Sequence, residues 1–94
     1  MTARTVTLKH PIVLKDKDGT VLEEIREVKI ERPNGKRMKA MDNAKGEIGK
    51  LELLIGACAQ LPPSTVDLMD GEDIMACGEV LSDFLGQPLV TGEK

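Results

Sequence analysis

The sequence predicts an α+β fold, an N-terminal β-hairpin followed by a small helical subdomain in the order ββααα. Two periodicities and one compositional limit predict it. Between Thr5 and Leu14 apolar residues recur at every second position, the period of a half-buried strand, and a second such run with one phase slip follows to Glu31. From Glu47 onward they recur at spacings of three and four, the period of an amphipathic helix. The chain has 94 residues and a single aromatic, Phe84. One domain with an aliphatic core filled out by Met and Cys is what that length and composition allow.

The first strand is Thr5 to Leu14. Val6, Leu8, Ile12 and Leu14 share a face with His10, and Thr5, Thr7 and Lys9 point the other way. Pro11 has no amide proton to give a neighbouring strand, so an edge strand or a bulge is expected there. Lys15 to Thr20 forms the turn, with Gly19 able to take positive φ. The second strand is Thr20 to Glu31. Its apolar phase slips from odd to even positions between Ile25 and Val28, which predicts a bulge near Arg26 and Glu27. The hairpin therefore spans residues 5–31.

Pro33 suits the first turn of a short helix over 33–42, with Met38 and Met41 facing inward. The main helix covers 47–61, where Ile48, Leu51, Leu54, Ile55, Cys58 and Leu61 form one stripe before Pro62-Pro63 stops it. Ser64 is placed to cap a short turn over 65–69. A last helix, 72–85, buries Ile74, Cys77, Val80, Leu81, Phe84 and Leu85, and its acidic first turn suits the positive end of the helix dipole. Leu54 and Leu81 are expected in the core. Gly86 and Pro88 end that helix, making residues 1–86 the single domain and 87–94 a flexible tail.

Charge is divided unevenly. Residues 1–46 carry 11 Lys and Arg against 7 Asp and Glu, whereas residues 47–94 carry 2 against 9. No apolar run approaches the roughly 20 residues of a membrane helix, and the N-terminus lacks the pattern of a secretory signal. The two cysteines, Cys58 and Cys77, fall on apolar helix faces and read as buried free thiols. These features point to a cytoplasmic protein.

Nothing in the sequence composes a catalytic, metal or cofactor site. Asp16, Asp18 and Gly19 resemble a piece of a calcium loop, but the glycine is misplaced and the terminal Glu is absent. Asp67, Asp70, Glu72 and Asp73 cluster where a helix cap would use them. His10 has no Cys or Asp at ligand spacing, and two cysteines with one histidine cannot complete a structural zinc site. There is no nucleophile elbow and no P-loop. The sequence predicts a binding protein, with no cofactor.

Two features suggest where it binds. Methionine is frequent (Met38, Met41, Met69 and Met75), and flexible, polarizable side chains recur on surfaces that accept varied apolar partners. Met75 falls on the polar side of the last helix, which makes it the expected exposed contact. On the back of the main helix, Gly49, Leu53, Gly56 and Gln60 stack at helical spacing. Each glycine costs the helix roughly 1 kcal/mol against alanine, which is tolerable where another helix approaches closely. Leu53, Gly49, Gly56 and Met75 are thus the candidate partner-binding residues.

The order VTLKHPI, DGT, IERP, LELLIGACAQL and LPPSTVDLMDGEDIMACGEVLSDFLG, from Val6 to about Leu85, resembles the small tail assembly chaperones of Mu-like and related contractile-tailed bacteriophages. PNGKRMKAMDNAKG is more basic and glycine-containing than that pattern. The resemblance implies a non-catalytic chaperone in the host bacterial cytoplasm. It would bind the tape measure protein, the long helical chain that sets tail length, and keep it soluble until the tail tube forms. It also implies a longer form of the chain made by ribosomal frameshifting, for which Asp83-Phe84-Leu85 can be encoded by a slippery run, and it leaves a homo-oligomer open. The reading from another class is a small nucleic-acid-binding regulator using the basic segment 32–39, with Arg32, Lys36, Arg37 and Lys39. Against it stand the acidic net charge of -3 and the lack of stacking aromatics.

Overall fold

A computed structural model describes residues 3–86, and the expected tail 87–94 lies outside the described residues. Strands β1 (Ala3–Lys15) and β2 (Val21–Glu31) pair antiparallel as a two-stranded ribbon. Asp16 closes the turn between them. Its Oδ1 accepts from the amides of Asp18 and Thr20, both at 2.9 Å, and Gly19 takes φ 83°.

The ribbon has two registers. Ala3–Thr7 pairs with Glu27–Glu31, and Ile12–Leu14 with Glu23–Ile25. Between them the four residues Leu8 to Pro11 of β1 stand opposite Arg26 alone. The irregularity lies where the phase slip in β2 predicts it, but the extra residues belong to β1. Pro11, without an amide proton, sits among them. A second shift leaves Leu22 without a residue opposite, between the pairs Leu14–Glu23 and Lys15–Val21.

The helical half is α1 (Gly35–Met38), a 3₁₀ turn (Lys39–Asn43), α2 (Glu47–Ala59), α3 (Pro63–Val66) and α4 (Gly71–Leu85). The expected single helix over 33–42 is corrected at both ends. Pro33 lies outside it, because Asn34 is the cap and its side chain accepts from the Arg37 amide at 2.9 Å. The segment then tightens to 3₁₀ after Met38. Met38 and Met41 do turn inward, partly buried against the core.

Helix α2 ends at Gln60, in the left-handed region at φ 59°, and the Leu61 amide donates back to the Gly56 carbonyl at 2.9 Å. Ser64 does not cap the next turn. Pro62 holds that position and Pro63 opens α3, where its missing N–H costs nothing. Asp70 caps α4, accepting from the Glu72 amide, and Gly86 closes it in the left-handed region.

Val6, Leu8, Ile12, Val28 and Ile30 of the ribbon meet Leu51, Leu54, Ile55 and Cys58 of α2 and Ile74, Cys77 and Leu81 of α4. Leu54 and Leu81 are fully buried, as are both thiols. Burial lifts the Cys58 thiol above its ordinary pKa and pushes Cys77 up to about 11. Helices α2 and α4 touch closely at Gly78, where a Cβ would lie 3.3 Å from the Leu51 side chain. One member of the predicted α2 stripe leaves the core: Ile48, in the first turn, is 49% exposed.

Candidate partner-binding surface

The junction between β1 and the start of α4 is densely polar. Asp73 is only 2% exposed, and its carboxylate accepts the backbone amides of Lys9 and His10, each at 2.9 Å. The bulge in β1 leaves those amides without a strand partner, and one carboxylate on α4 satisfies both. Around it, Glu72 accepts from Lys9 Nζ at 3.1 Å and contacts His10 Nε2 at 3.0 Å, with Asp70 3.6 Å from the same ring nitrogen. The Glu72 contact, aided by the charges of Asp70 and Asp73, raises the His10 pKa. The same bond, with Lys9 second, lowers that of Glu72. Further along, Arg4 pairs with Asp83 at 3.2 Å.

Sequence spacing missed this constellation. His10 has no ligand-spaced neighbour along the chain, yet the fold brings Asp70 and Glu72 to it. Their ligand atoms lie within 4.8 Å of one another, all on exposed side chains. Each is already engaged: the ring with Glu72, Glu72 with Lys9 as well, and Asp70 with the α4 amide it caps. The arrangement is an ion-pair clasp holding helix to ribbon. A helical reading put Asp73 among the capping acids, and only the position of β1, 63 residues away, reveals its other role.

The candidate contact residues are dispersed. Met75 is 45% exposed on the outward face of α4. Leu53 is partly buried, and Gly49 faces Ala44, whose Cβ would sit 3.4 Å from a Cβ added there. Gly56 is buried. A Cβ on it would stand 2.9 Å from the Leu61 carbonyl oxygen and 3.4 Å from Val66. The close approach that its glycine permits is therefore made by the chain's own turn into α3. Other apolar side chains face outward at Val21, Leu22 and Leu68, the first two near the ribbon tip.

Part of the basic segment is occupied within the fold. Arg37 pairs with Glu31 at 2.9 Å and donates to the Arg32 carbonyl, while the Arg32 guanidinium lies 5.7 Å from the centre of the Phe84 ring. Two of the four cations that a nucleic-acid contact would use thus help tie β2 and α1 to the helices.

Residues 5–86 match the model of the family described as phage tail assembly chaperone proteins, E, or 41 or 14. The chain belongs to this family. No curated protein and no solved structure gave a significant match. Membership in the tail assembly chaperones covers both the ribbon and the helices, so the matched unit is the whole described fold. It fits a role in assembling phage tails through contact with a tail protein. Among the described residues, no helix is long and apolar enough to cross a membrane.

Proposed function

We propose that this chaperone binds the tape measure protein in the host bacterial cytoplasm and keeps it soluble during tail morphogenesis, acting by contact and without chemistry. The family match over residues 5–86 carries the reading. The exposed apolar side chains agree with it. The core is closed without Met75, which with the partly buried Leu53 and Gly49 of α2 makes the first set of residues to test. Gly56 contributes through the shape it gives α2, since Leu61 and Val66 cover it.

A longer, frameshifted form would begin after a finished domain, because Gly86 closes α4 by returning its amide to the Ser82 carbonyl at 2.8 Å. A run of identical bases at the codons of Asp83-Phe84-Leu85, with an overlapping open frame downstream, is the expected sign of it in the coding DNA. Its absence removes the longer form without touching the rest.

The experiment is co-expression with the tape measure protein of the same phage. The expected result is that the soluble fraction of that protein rises with the chaperone. Met75→Gln and Leu53→Gln should lower it while circular dichroism shows the fold intact. No solubilisation by the wild-type chain overturns the function, and solubilisation untouched by either variant moves the contact elsewhere.

A further inference from the structure

We infer that the outward stripe of α4 docks a cationic helical segment, with Met75 against an apolar side chain of that segment and Glu79 paired with its lysine or arginine. The inference rests on the chaperone reading and names the chemistry of the partner segment.

Glu72, Met75, Glu79 and Asp83 follow one another at spacings of three, four and four, and all four are exposed. They form a ridge about 16 Å long, the length of some three helical turns. Residues 62–86 contain six Asp and Glu and no Lys or Arg. Most of these carboxylates are used inside the fold. Asp70 caps the helix, Asp73 holds the β1 bulge, Glu72 pairs with Lys9 and His10, and Asp83 with Arg4. Glu79 and Asp67 have no side-chain ion-pair or hydrogen-bond partner among the described residues, and of the two only Glu79 lies on this ridge. It stands one turn from Met75, close enough for one partner side chain to span both.

The two ends of the ridge are thus neutralised by β1, and its middle presents an apolar side chain beside an unpaired negative charge. A helix carrying an apolar residue and a cation one turn apart complements it, as ridge packs beside ridge and charge meets charge. A second copy presenting the same ridge would bring two acidic ridges together, which disfavours a symmetric contact there.

The probe is a fluorescein-labelled amphipathic peptide of about 14 residues, long enough for nearly four helical turns, with a leucine stripe flanked by lysines. Its counterpart has every lysine replaced by glutamate. Both are titrated into the full chain by fluorescence anisotropy, and amide shifts are mapped by NMR. The lysine peptide should bind at least about tenfold more tightly than the glutamate peptide, a difference of about 1.4 kcal/mol. Shifts should centre on 72–83. Met75→Gln and Glu79→Lys should each weaken binding several-fold, whereas Glu23→Lys, an equal change in net charge on the ribbon, should not.

Equal weakening by Glu23→Lys, or shifts centred outside α4, overturns the inference. So does concentration-dependent self-association that Glu79→Lys abolishes, since a second copy's Lys36 and Lys39 would then be the occupant. The co-expression assay separates the two levels. A tail protein that stays soluble with Glu79→Lys defeats this surface alone, while one that the wild-type chain fails to solubilise defeats the chaperone reading.

Discussion

The Asp73 carboxylate and the His10 backbone amide, 63 residues apart in the chain, meet at 2.9 Å in a site only 2% exposed on the Asp73 side. With the Lys9 amide on its other oxygen, Asp73 stands in for the strand partner that the bulge denies β1. Buried amides without an acceptor are costly, and a carboxylate is the strongest acceptor available to them.

Replacing Asp73 by Ala should therefore lower stability by about 3 kcal/mol, because two amides lose their acceptor together. Asp73→Asn keeps one carbonyl oxygen and should cost less. Urea midpoints of the two variants check this. A wild-type midpoint for Asp73→Ala would mean that β1 finds other acceptors or that the junction opens at little cost.

The same residue shows where sequence reasoning stops. Periodicity reports which face of an element is apolar, so the ribbon, α2, α4 and the burial of Leu54, Leu81, Cys58 and Cys77 were all legible. It does not report which distant backbone lacks a partner, so Asp73 looked like one more capping acid and His10 like a histidine alone. The bulge lies between these cases. Its position showed in β2, where Ile25 and Val28 fall out of phase, yet the additional residues are Leu8 to Pro11. In β1 the apolar residues keep even spacing through the bulge, and Pro11 alone marks it there. Gly56 likewise looked like a place for a foreign helix, because a glycine in a helix announces a close neighbour without saying whose backbone it is.

The two glycines of α2 should respond oppositely to alanine. In a helix, Gly→Ala gains up to about 1 kcal/mol when the methyl group meets open space or ordinary contact. At Gly49 the nearest atom beyond the local helix backbone is the Ala44 Cβ at 3.4 Å, so Gly49→Ala should raise the thermal midpoint. At Gly56 the methyl group would meet the Leu61 carbonyl at 2.9 Å, and that oxygen belongs to the turn closing the helix. Gly56→Ala should lower the midpoint. The same direction of change at both sites would show that the turn after α2 yields.

Both thiols should be silent in the native protein. Cys58 and Cys77 are fully buried, and burial raises both pKa values, Cys77 to about 11, so thiolate is scarce as well as inaccessible. A disulfide-exchange reagent at mildly alkaline pH should label neither until denaturant is added, and then label both. Rapid labelling of one thiol in the folded chain would locate an opening of the α2–α4 interface.

The clasp around His10 should make stability depend on pH in a defined direction. The His10 pKa is raised from 6.5, first by its hydrogen bond with Glu72 and then by the charges of Asp70 and Asp73. Desolvation of the ring opposes this, and Lys9 on the same strand competes for the Glu72 carboxylate. A raised pKa means that the folded state holds the proton more tightly than the unfolded chain. The resulting stabilisation is complete below 6.5 and fades as pH climbs through the higher folded value. Glu72 behaves in the opposite sense: its pKa is lowered from 4.5, so its contribution is complete above 4.5 and fades as pH falls through the folded value. The clasp is fully formed between 4.5 and 6.5. Both side chains are exposed, so the effect should be small and should shrink with added salt. The expected observation is a thermal midpoint that declines gently on the alkaline side of that window at low ionic strength, with His10→Gln abolishing the decline. A decline of equal size in His10→Gln would assign it to other groups and leave the imidazole without a part in holding α4 to the ribbon.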